Sequence, residues 1–312
     1  MQNLPNTPAH AKPPARKQAW SAFATWCRDS LARYVFLTVA FSATLSLLLI
    51  ALFILKEGVP FIVKIGLKDF LFASVWDPSA GQFGIYPMII SSLWVTLGAM
   101  LIGAPLGVAG AIFLTQFVPR SVMRIIKPMI ELLAGIPSVL YGFMGVMVLA
   151  PFIRNHFGGP GLSLLAASII LGIMVLPTVI SISIDTINAV PRTYLEGALA
   201  LGATRWQSVH MVILKAARSG IIASIILAMG RAVGETMAVI MVAGNALKMP
   251  HSPLDSVRTL TANIAMEMGQ ASGMHRQALF ATGVVLFVVI MILNSIATAA
   301  VRRRIGGKVN KK

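Results

Sequence analysis

Charged residues are scarce in this sequence, and cysteine is almost absent. Only 12% of the 312 residues are charged, whereas 57% are hydrophobic. A soluble domain of this length does not cover so much apolar surface with so few charges. Cys27 is the only cysteine in the sequence, which excludes an intrachain disulfide and a cysteine metal cluster.

Motifs for ATP hydrolysis, metal binding and covalent catalysis are also missing. The phosphate-cradling pattern G-x-x-x-x-G-K-[ST] does not occur, and the five histidines have no ligand spacing. No nucleophile and base form a recognisable group. We therefore expect no catalytic residue, no metal site and no cofactor bound by this chain. Any energy that its activity needs comes from a partner or from an ion gradient.

Long apolar runs are what the sequence has in abundance. Each run reaches the length of roughly 20 residues that a helix needs to cross the hydrocarbon of a bilayer. The runs lack the alternation of a strand, so the backbone satisfies its hydrogen bonds within helices. The prediction is an all-α, polytopic membrane protein with six transmembrane helices. Their predicted positions are 34–55, 86–115, 125–152, 163–187, 219–244 and 277–301.

The basic residues give these spans a direction. With the N-terminus inside, 18 of the 26 lysines and arginines fall in inner segments and seven in outer loops. The positive-inside rule then predicts that both termini are cytoplasmic, and the apolar spans place the protein among membrane lipids. Despite the net charge of +16, we expect no nucleic-acid binding, since the charges flank spans and build no basic helix or patch.

Three parts of the chain follow from this topology. Residues 1–33 are predicted to be a cytoplasmic N-terminal tail without order, because they are polar and rich in proline and lysine. Residues 34–301 form the transmembrane domain, and residues 302–312 form a basic cytoplasmic tail.

Two charged residues, Arg231 and Glu235, stand in the middle of the fifth apolar run. A charge at the bilayer centre costs about 2.5–3.5 kcal/mol, so such residues usually line a pathway. On one helix, positions four apart share a face and partly neutralise each other, which leaves a purely structural pair as the alternative. The guanidinium fork suits an oxyanion. Gly230 and Gly234 form a G-x-x-x-G step, which predicts close helix packing beside the charges.

The inner segment 188–218 is the longest polar interruption on its side of the membrane. "RTYLEGALA" predicts a short helix that ends at Gly202, and Thr204 predicts the start of a second helix. Two short helices that project from the membrane in this way are suited to transmitting movement from a soluble partner to the spans. An ordinary amphipathic connector is the alternative.

The pattern E-G-A-x-x-x-G at 196–202, followed by V-I-L at 212–214, resembles the EAA loop of bacterial ABC importer permeases. Gly197 replaces the first alanine of that motif, and Lys215 stands where proline is usual. In that family the loop docks in a cleft of the ATP-hydrolysing subunit. The resemblance implies ATPase coupling through Glu196, Ala198 and Gly202.

Three further motifs resemble permeases of the phosphate-specific (Pst) ABC importer, and two runs within them, G-E-T-M-A-V and L-T-A-N-I-A, fit its C-type subunit better than its A-type subunit. They are "ELLAGIPSVLYG" at 131–142, "GRAVGETMAVIMVAGN" at 230–245 and "VRTLTANIAMEMG" at 257–269. The resemblance implies an ABC type I importer permease fold with its core at 86–301. The arginine and glutamate of G-R-A-x-G-E are regarded as important for transport in that family, and here they are Arg231 and Glu235.

The same resemblance implies import of inorganic phosphate and a set of partners. These are a second permease of A-type, two ATP-binding subunits that hold ATP and Mg²⁺, and an external phosphate-binding protein. Other functions stay open from the residues alone. They are an ABC permease for sulfate or molybdate, a transporter or channel driven by an ion gradient, and a membrane scaffold or sensor.

Overall fold

The computed structural model describes residues 15–306, with side chains from 31 to 299. Almost all of this part is helical. The only strands within it are β1, Trp76–Asp77, and β2, Gln82–Phe83, which pair as a short antiparallel hairpin. The prediction of an all-α protein is therefore confirmed.

Thirteen α-helices are present in residues 15–306, and two wider π-helical turns join neighbouring helices. In chain order the helices are α1 Ala15–Ile65, α2 Leu67–Phe72, α3 Tyr86–Gln116, α4 Arg120–Ala134, α5 Ser138–Met144, α6 Ala150–Phe157, α7 Leu164–Asn188, α8 Arg192–Ala200, α9 Arg205–Ser208, α10 Leu214–Gly234, α11 Met237–Val242, α12 Leu260–Glu267 and α13 Gly273–Gly306. The π-helical turn Gly145–Leu149 joins α5 to α6, and Val209–Ile213 joins α9 to α10.

Six helical segments of the described chain are long and apolar enough to cross a membrane, which confirms the predicted number of spans. They are Leu31–Ile65, Tyr86–Gln116, Ser138–Phe157, Leu164–Asn188, Arg205–Gly234 and Gly273–Ala299. The protein is therefore a multi-pass membrane protein. The cytoplasmic placement of its termini stays a prediction.

The third span begins later than the predicted range 125–152. A separate amphipathic helix, α4, ends at Ala134, and the span starts at Ser138. Proline at 137 disfavours helical geometry at the residue before it, and Gly135 follows the last helical residue of α4. The hydropathy of this stretch runs through the break, so the predicted boundary was wrong at this end.

The two ends of the described chain are more helical than predicted. α1 already begins at Ala15, within the segment 1–33 that was expected to be a tail without order. After proline at 14, residues 15–33 contain no further helix breaker and several strong helix formers, which favours helix. α13 continues to Gly306, into the predicted basic tail. Residues 1–14 and 307–312 of the predicted tails lie outside the described residues.

The chain divides into two compact units, one that ends at Phe53 and one that begins at Ile54. In the first unit, the described apolar side chains of α1 are mostly exposed, for example Phe36 at 72% and Leu47 at 70%. This is the surface that a lipid-facing helix presents, because lipid tails are themselves apolar.

In the second unit, α7 is the central helix and α3 packs along it at very close range. A Cβ atom added to Gly103 would lie 2.5 Å from a methyl group of Val175 and 2.8 Å from the carbonyl oxygen of Gly172. A Cβ atom on Gly107 would lie 2.7 Å from the side chain of Val179. Glycines on one face thus let the two backbones approach, as is typical of helix contacts in membranes.

Candidate functional site

The fifth span is broken immediately after the charged motif. α10 ends at Gly234, Glu235 has extended geometry with φ −68° and ψ 128°, and α11 begins at Met237. The expectation that Arg231 and Glu235 share one helix face is therefore wrong. An oxygen of the Glu235 carboxylate accepts a hydrogen bond from the backbone N–H of Ala238 at 3.2 Å, so the side chain caps the new helix.

Arg231 is partly buried and points towards α7 and the end of α4. Its Nη1 donates to Thr178 Oγ1 at 3.3 Å, and its Nη2 donates to the carbonyl oxygen of Ala134 at 3.3 Å. Ala134 is the last residue of α4, where carbonyl groups lack partners within the helix and the helix dipole favours a cation. Both acceptors of the guanidinium are electrically neutral.

No carboxylate among the side chains described, residues 31–299, lies within ion-pair distance of Arg231. The anticipated neutralisation of Arg231 by Glu235 is thus absent from this part of the chain. A half-buried guanidinium without a negative partner leaves an uncompensated positive charge in the bundle.

A polar cleft lies next to the helix break, and Glu235 is one of the residues that line it. It contains about 180 Å³ of empty space, open solvent included. Ala232, Val233 and Glu235 from the charged motif line it, together with Ser92, Val95, Thr96, Leu171, Val239, Thr259 and Thr261. Four hydroxyl groups and one carboxylate thus surround a space within an otherwise apolar bundle.

Hydroxyl groups tie the cleft to its surroundings. Thr261 Oγ1 donates to the carbonyl oxygen of Glu235 at 3.1 Å, and Ser92 Oγ accepts from the backbone N–H of Leu260 at 3.0 Å. The broken fifth span is in this way fixed to α12, and α12 to α3. Ser92, Thr96 and Thr178 carry no motif in the sequence that would predict a role. Their only signal is a hydroxyl group within an apolar run, and most such groups bond to their own helix.

Gly230 and Gly234 do not pack against another helix in residues 15–306. A Cβ atom added to either glycine would meet no atom within 4 Å. Gly234 is also exposed. Their predicted role in helix packing is therefore not fulfilled by the side chains of residues 31–299, and it stays a prediction for the contact with another subunit.

The segment 188–218 has the predicted two short helices. α8 is followed by Gly202, whose φ of 83° is a left-handed conformation that glycine adopts without strain. α9 starts after Thr204, which accepts from the N–H of Gln207 at 3.2 Å while the Gln207 side chain bonds back to Thr204. This reciprocal capping box explains the sharp start of the second helix.

The surface of this segment is open and partly apolar. Glu196 is exposed, Ala198 is half-buried, and Gly197 has space around it. Two large side chains beside them are largely exposed, Leu201 at 90% and Trp206 at 59%. A surface with these properties is suited to contact with a protein partner.

An ion-pair network lies beyond the cleft, around α12. Arg258 Nη1 donates to Glu267 at 2.6 Å, and Arg258 Nε donates to the carbonyl oxygen of Asn245 at 3.0 Å. The other oxygen of Glu267 accepts from Trp76 Nε1 at 2.8 Å and lies 2.8 Å from His275 Nε2. The network joins β1, α12 and α13, so it holds in place the helix that fixes the helix break.

Comparison with known proteins agrees with this architecture. The family model "Binding-protein-dependent transport system inner membrane component" matches residues 103–307. This chain belongs to that family, so it is a membrane-embedded transport component and not an enzyme.

Individual relatives are similar over most of the chain. The probable ABC transporter permease protein YqgH of Bacillus subtilis is 44% identical over 70% of this chain and 73% of that protein. The phosphate transport system permease protein PstC of Mesorhizobium japonicum is 38% identical over 73% of this chain and 76% of that protein. The chain is thus a homologue of ABC transporter permease subunits.

A solved structure supports the same fold at low sequence identity. The structure of a bacterial ABC transporter involved in the import of the acidic polysaccharide alginate aligns with a TM-score of 0.59 and 15% identity. The alignment covers 92% of this chain and 96% of that one. The importer permease fold expected from the sequence is therefore confirmed.

Proposed function

We propose that this chain is the C-type permease subunit of an ATP-driven importer of inorganic phosphate. It pairs with a second permease of A-type and with two ATP-binding subunits, which hold ATP and Mg²⁺. An external binding protein delivers the phosphate. The observation that carries an anion as the substrate is the half-buried guanidinium of Arg231, which is held by two neutral oxygens and has no carboxylate within ion-pair distance in the described part of the chain. The similarity to phosphate transport permeases supports phosphate as that anion.

The chemistry of that guanidinium suits a passing oxyanion. It has five N–H donors, and its two bonds to the protein leave donors for a ligand. An oxyanion forms shorter and stronger charge-assisted hydrogen bonds than a hydroxyl or a carbonyl group does. The resting contacts of Arg231 are both long, at 3.3 Å, so an arriving phosphate displaces them easily.

The segment 188–218 provides a mechanical route from the ATPase to this site. We assign ATPase docking to the surface around Glu196, Ala198 and Gly202. α9, the π-helical turn Val209–Ile213 and α10 follow one another without a break. A displacement of the docked segment is therefore passed along a continuous helix that ends at Arg231 and the helix break.

The topology that this mechanism needs is the one predicted from the basic residues. Both termini and the segment 188–218 face the cytoplasm, where ATP is present. The polar cleft and α12 face the outside, where a binding protein delivers its ligand. The protein then resides in the cell inner membrane.

Reconstitution of the whole complex tests this function. Proteoliposomes that contain ATP and Mg²⁺ are supplied from outside with the phosphate-loaded binding protein, and labelled phosphate in the lumen is measured. We expect uptake that requires hydrolysable ATP and that persists when ionophores remove all ion gradients. Uptake that follows an imposed ion gradient without ATP would overturn the proposal. Stronger ATPase stimulation by sulfate or molybdate on its binding protein would reassign the substrate.

A further inference from the structure

Thr178 differs from other threonines of the membrane spans in the use of its hydroxyl group. Thr186 Oγ1, on the same helix α7, donates to the carbonyl oxygen of Ile182, four residues earlier, at 2.8 Å. Thr282 Oγ1 does the same towards Ala278 at 2.9 Å. Within residues 31–299, the hydroxyl group of Thr178 has one hydrogen bond, which it accepts from Arg231 Nη1.

This bond is formed where the guanidinium needs an acceptor. Arg231 is partly buried, and a charged group without polar partners in an apolar environment is costly. The second acceptor, the carbonyl oxygen of Ala134, belongs to the backbone. Among the described residues, Thr178 is therefore the one side chain that fixes the direction of the guanidinium.

The neutral character of this acceptor is the decisive property. A carboxylate at position 178 would form an ion pair with the guanidinium, which is stronger than its bond to a hydroxyl group, and would cancel the positive charge. A hydroxyl group orients the guanidinium and leaves its charge intact. The bond length of 3.3 Å marks a weak contact that an arriving anion replaces.

We propose that Thr178 is a positioning residue, which holds Arg231 in a direction ready for the anion without competing for it. This inference rests on the proposed function, since it gives Arg231 the role of meeting the anion. Within residues 31–299, the hydroxyl group of Thr178 has no hydrogen bond besides the one from the arginine. It acts through the orientation of the guanidinium, and hence on the rate of uptake.

The test uses the reconstituted complex and three substitutions at this position. Thr178→Val keeps the shape and removes the acceptor, and we expect uptake to fall about tenfold, the scale of one lost hydrogen bond to a charged group. Thr178→Ser keeps the hydroxyl group and is expected to stay within about twofold of wild type on the same scale. Thr178→Asp is expected to suppress uptake more strongly than Thr178→Val, because it captures the guanidinium.

Controls separate this inference from a general defect. Thr44→Val removes the hydroxyl group of an exposed threonine in the first span, which bonds to its own helix backbone at Ala40, and uptake is expected to be normal. Co-purification of all subunits and ATPase stimulation by the loaded binding protein are expected to persist in Thr178→Val, which a packing defect would not allow. Thr178→Ala provides a second removal of the acceptor.

The outcomes distinguish the inference from the function beneath it. Normal uptake in Arg231→Ala would overturn the role of the arginine and with it the proposed site. Loss of uptake in Arg231→Ala with normal uptake in Thr178→Val would overturn the positioning role alone. The positioning role would also be overturned if Thr178→Ser lowered uptake as much as Thr178→Val does. It would likewise be overturned if both Thr178→Val and Thr178→Ala failed to assemble, since the side chain would then serve packing.

Discussion

Arg231 and Glu235 are four residues apart in the sequence, and their side chains contact different parts of the protein. The guanidinium donates to Thr178 and Ala134, whereas the carboxylate accepts from the N–H of Ala238 beyond the helix break. The two charges are therefore not a self-contained pair. One is a cation held by neutral oxygens, and the other is a helix cap beside a polar cleft.

Removal of the arginine tests its role in transport directly. We expect Arg231→Ala to lower phosphate uptake by about a hundredfold or more, the scale of two lost hydrogen bonds from a charged donor. The complex is expected to assemble as before, because both protein contacts of Arg231 are long. Uptake into proteoliposomes and co-purification of the subunits are the measurements. Arg276→Ala, which changes an exposed arginine on α13, is the control, and loss of assembly in Arg231→Ala would show a structural role instead.

The cap formed by Glu235 leads to a prediction about stability. Glu235→Gln retains an oxygen that accepts from Ala238, so the unfolding transition of the purified chain is expected to stay where it is in wild type. Glu235→Ala removes this acceptor and is expected to cost about 1 kcal/mol of stability. Thermal unfolding in detergent measures both variants. Equal stability of Glu235→Ala and wild type would contradict the capping role.

The docking surface predicts a specific failure of coupling. Glu196→Lys reverses a charge on the exposed face of α8, and we expect poor docking of the ATPase with uptake per ATP hydrolysed reduced severalfold. The ratio of phosphate imported to ATP consumed is the measurement. Asp69→Lys reverses an exposed charge on α2, away from the docking segment, and serves as the control. An unchanged ratio in Glu196→Lys would remove the docking hypothesis.

Hydropathy was sufficient for the number of spans, because a helix in lipid has to be apolar over its length. The two short helices of 188–218 were also readable, since Gly202 and Thr204 signal a stop and a start locally. The break at Glu235 could not be predicted from the sequence. It depends on the cap to Ala238 and on the bond from Thr261, which is distant in the sequence. The residues on both sides of the break are apolar, so a hydropathy window averages over the break and does not detect it.

The hydrogen-bond partners of Arg231 could not be predicted from the sequence for a related reason. Thr178 is an inconspicuous residue in an apolar run, and its distance from Arg231 in the chain is 53 residues. A threonine in a helix usually bonds to its own backbone, so the residue type gives no sign of an unusual role. Only the packing of α7 against α10 brings the two together.

The loop between α11 and α12 leads to a prediction about pH. The Asp255 carboxylate accepts from the backbone N–H groups of His251 and Ser252, both at 2.9 Å, and lies 3.4 Å from Lys248 Nζ. These contacts, led by the His251 N–H, hold the pKa of Asp255 below its ordinary value of 3.8. A lowered pKa gives stability that is complete above 3.8 and is lost as the pH falls through the folded value.

Hydrogen exchange of the two capped amides checks this. We expect the loop to be equally protected at pH 7 and pH 5, once intrinsic exchange rates are corrected, and to open only in stronger acid. Asp255→Asn is expected to increase exchange at 251 and 252 about threefold to tenfold at neutral pH, since an amide oxygen is a weaker acceptor than a carboxylate. Protection that already declines between pH 7 and pH 5 would contradict this account.

Two glycines with opposite surroundings test where another subunit packs. A Cβ atom at Gly103 would collide with Val175 and with the backbone of Gly172, whereas a Cβ atom at Gly230 would meet nothing within 4 Å of this chain. We therefore expect Gly103→Ala to lower the free energy of unfolding of the isolated chain by about 1–3 kcal/mol, the usual cost of overpacking. Gly230→Ala is expected to leave the isolated chain as stable as wild type.

If Gly230 faces the second permease, the same substitution weakens assembly of the two permeases, and co-purification at increasing detergent concentration measures this. Full assembly of Gly230→Ala would mean that this glycine faces lipid or the transport pathway.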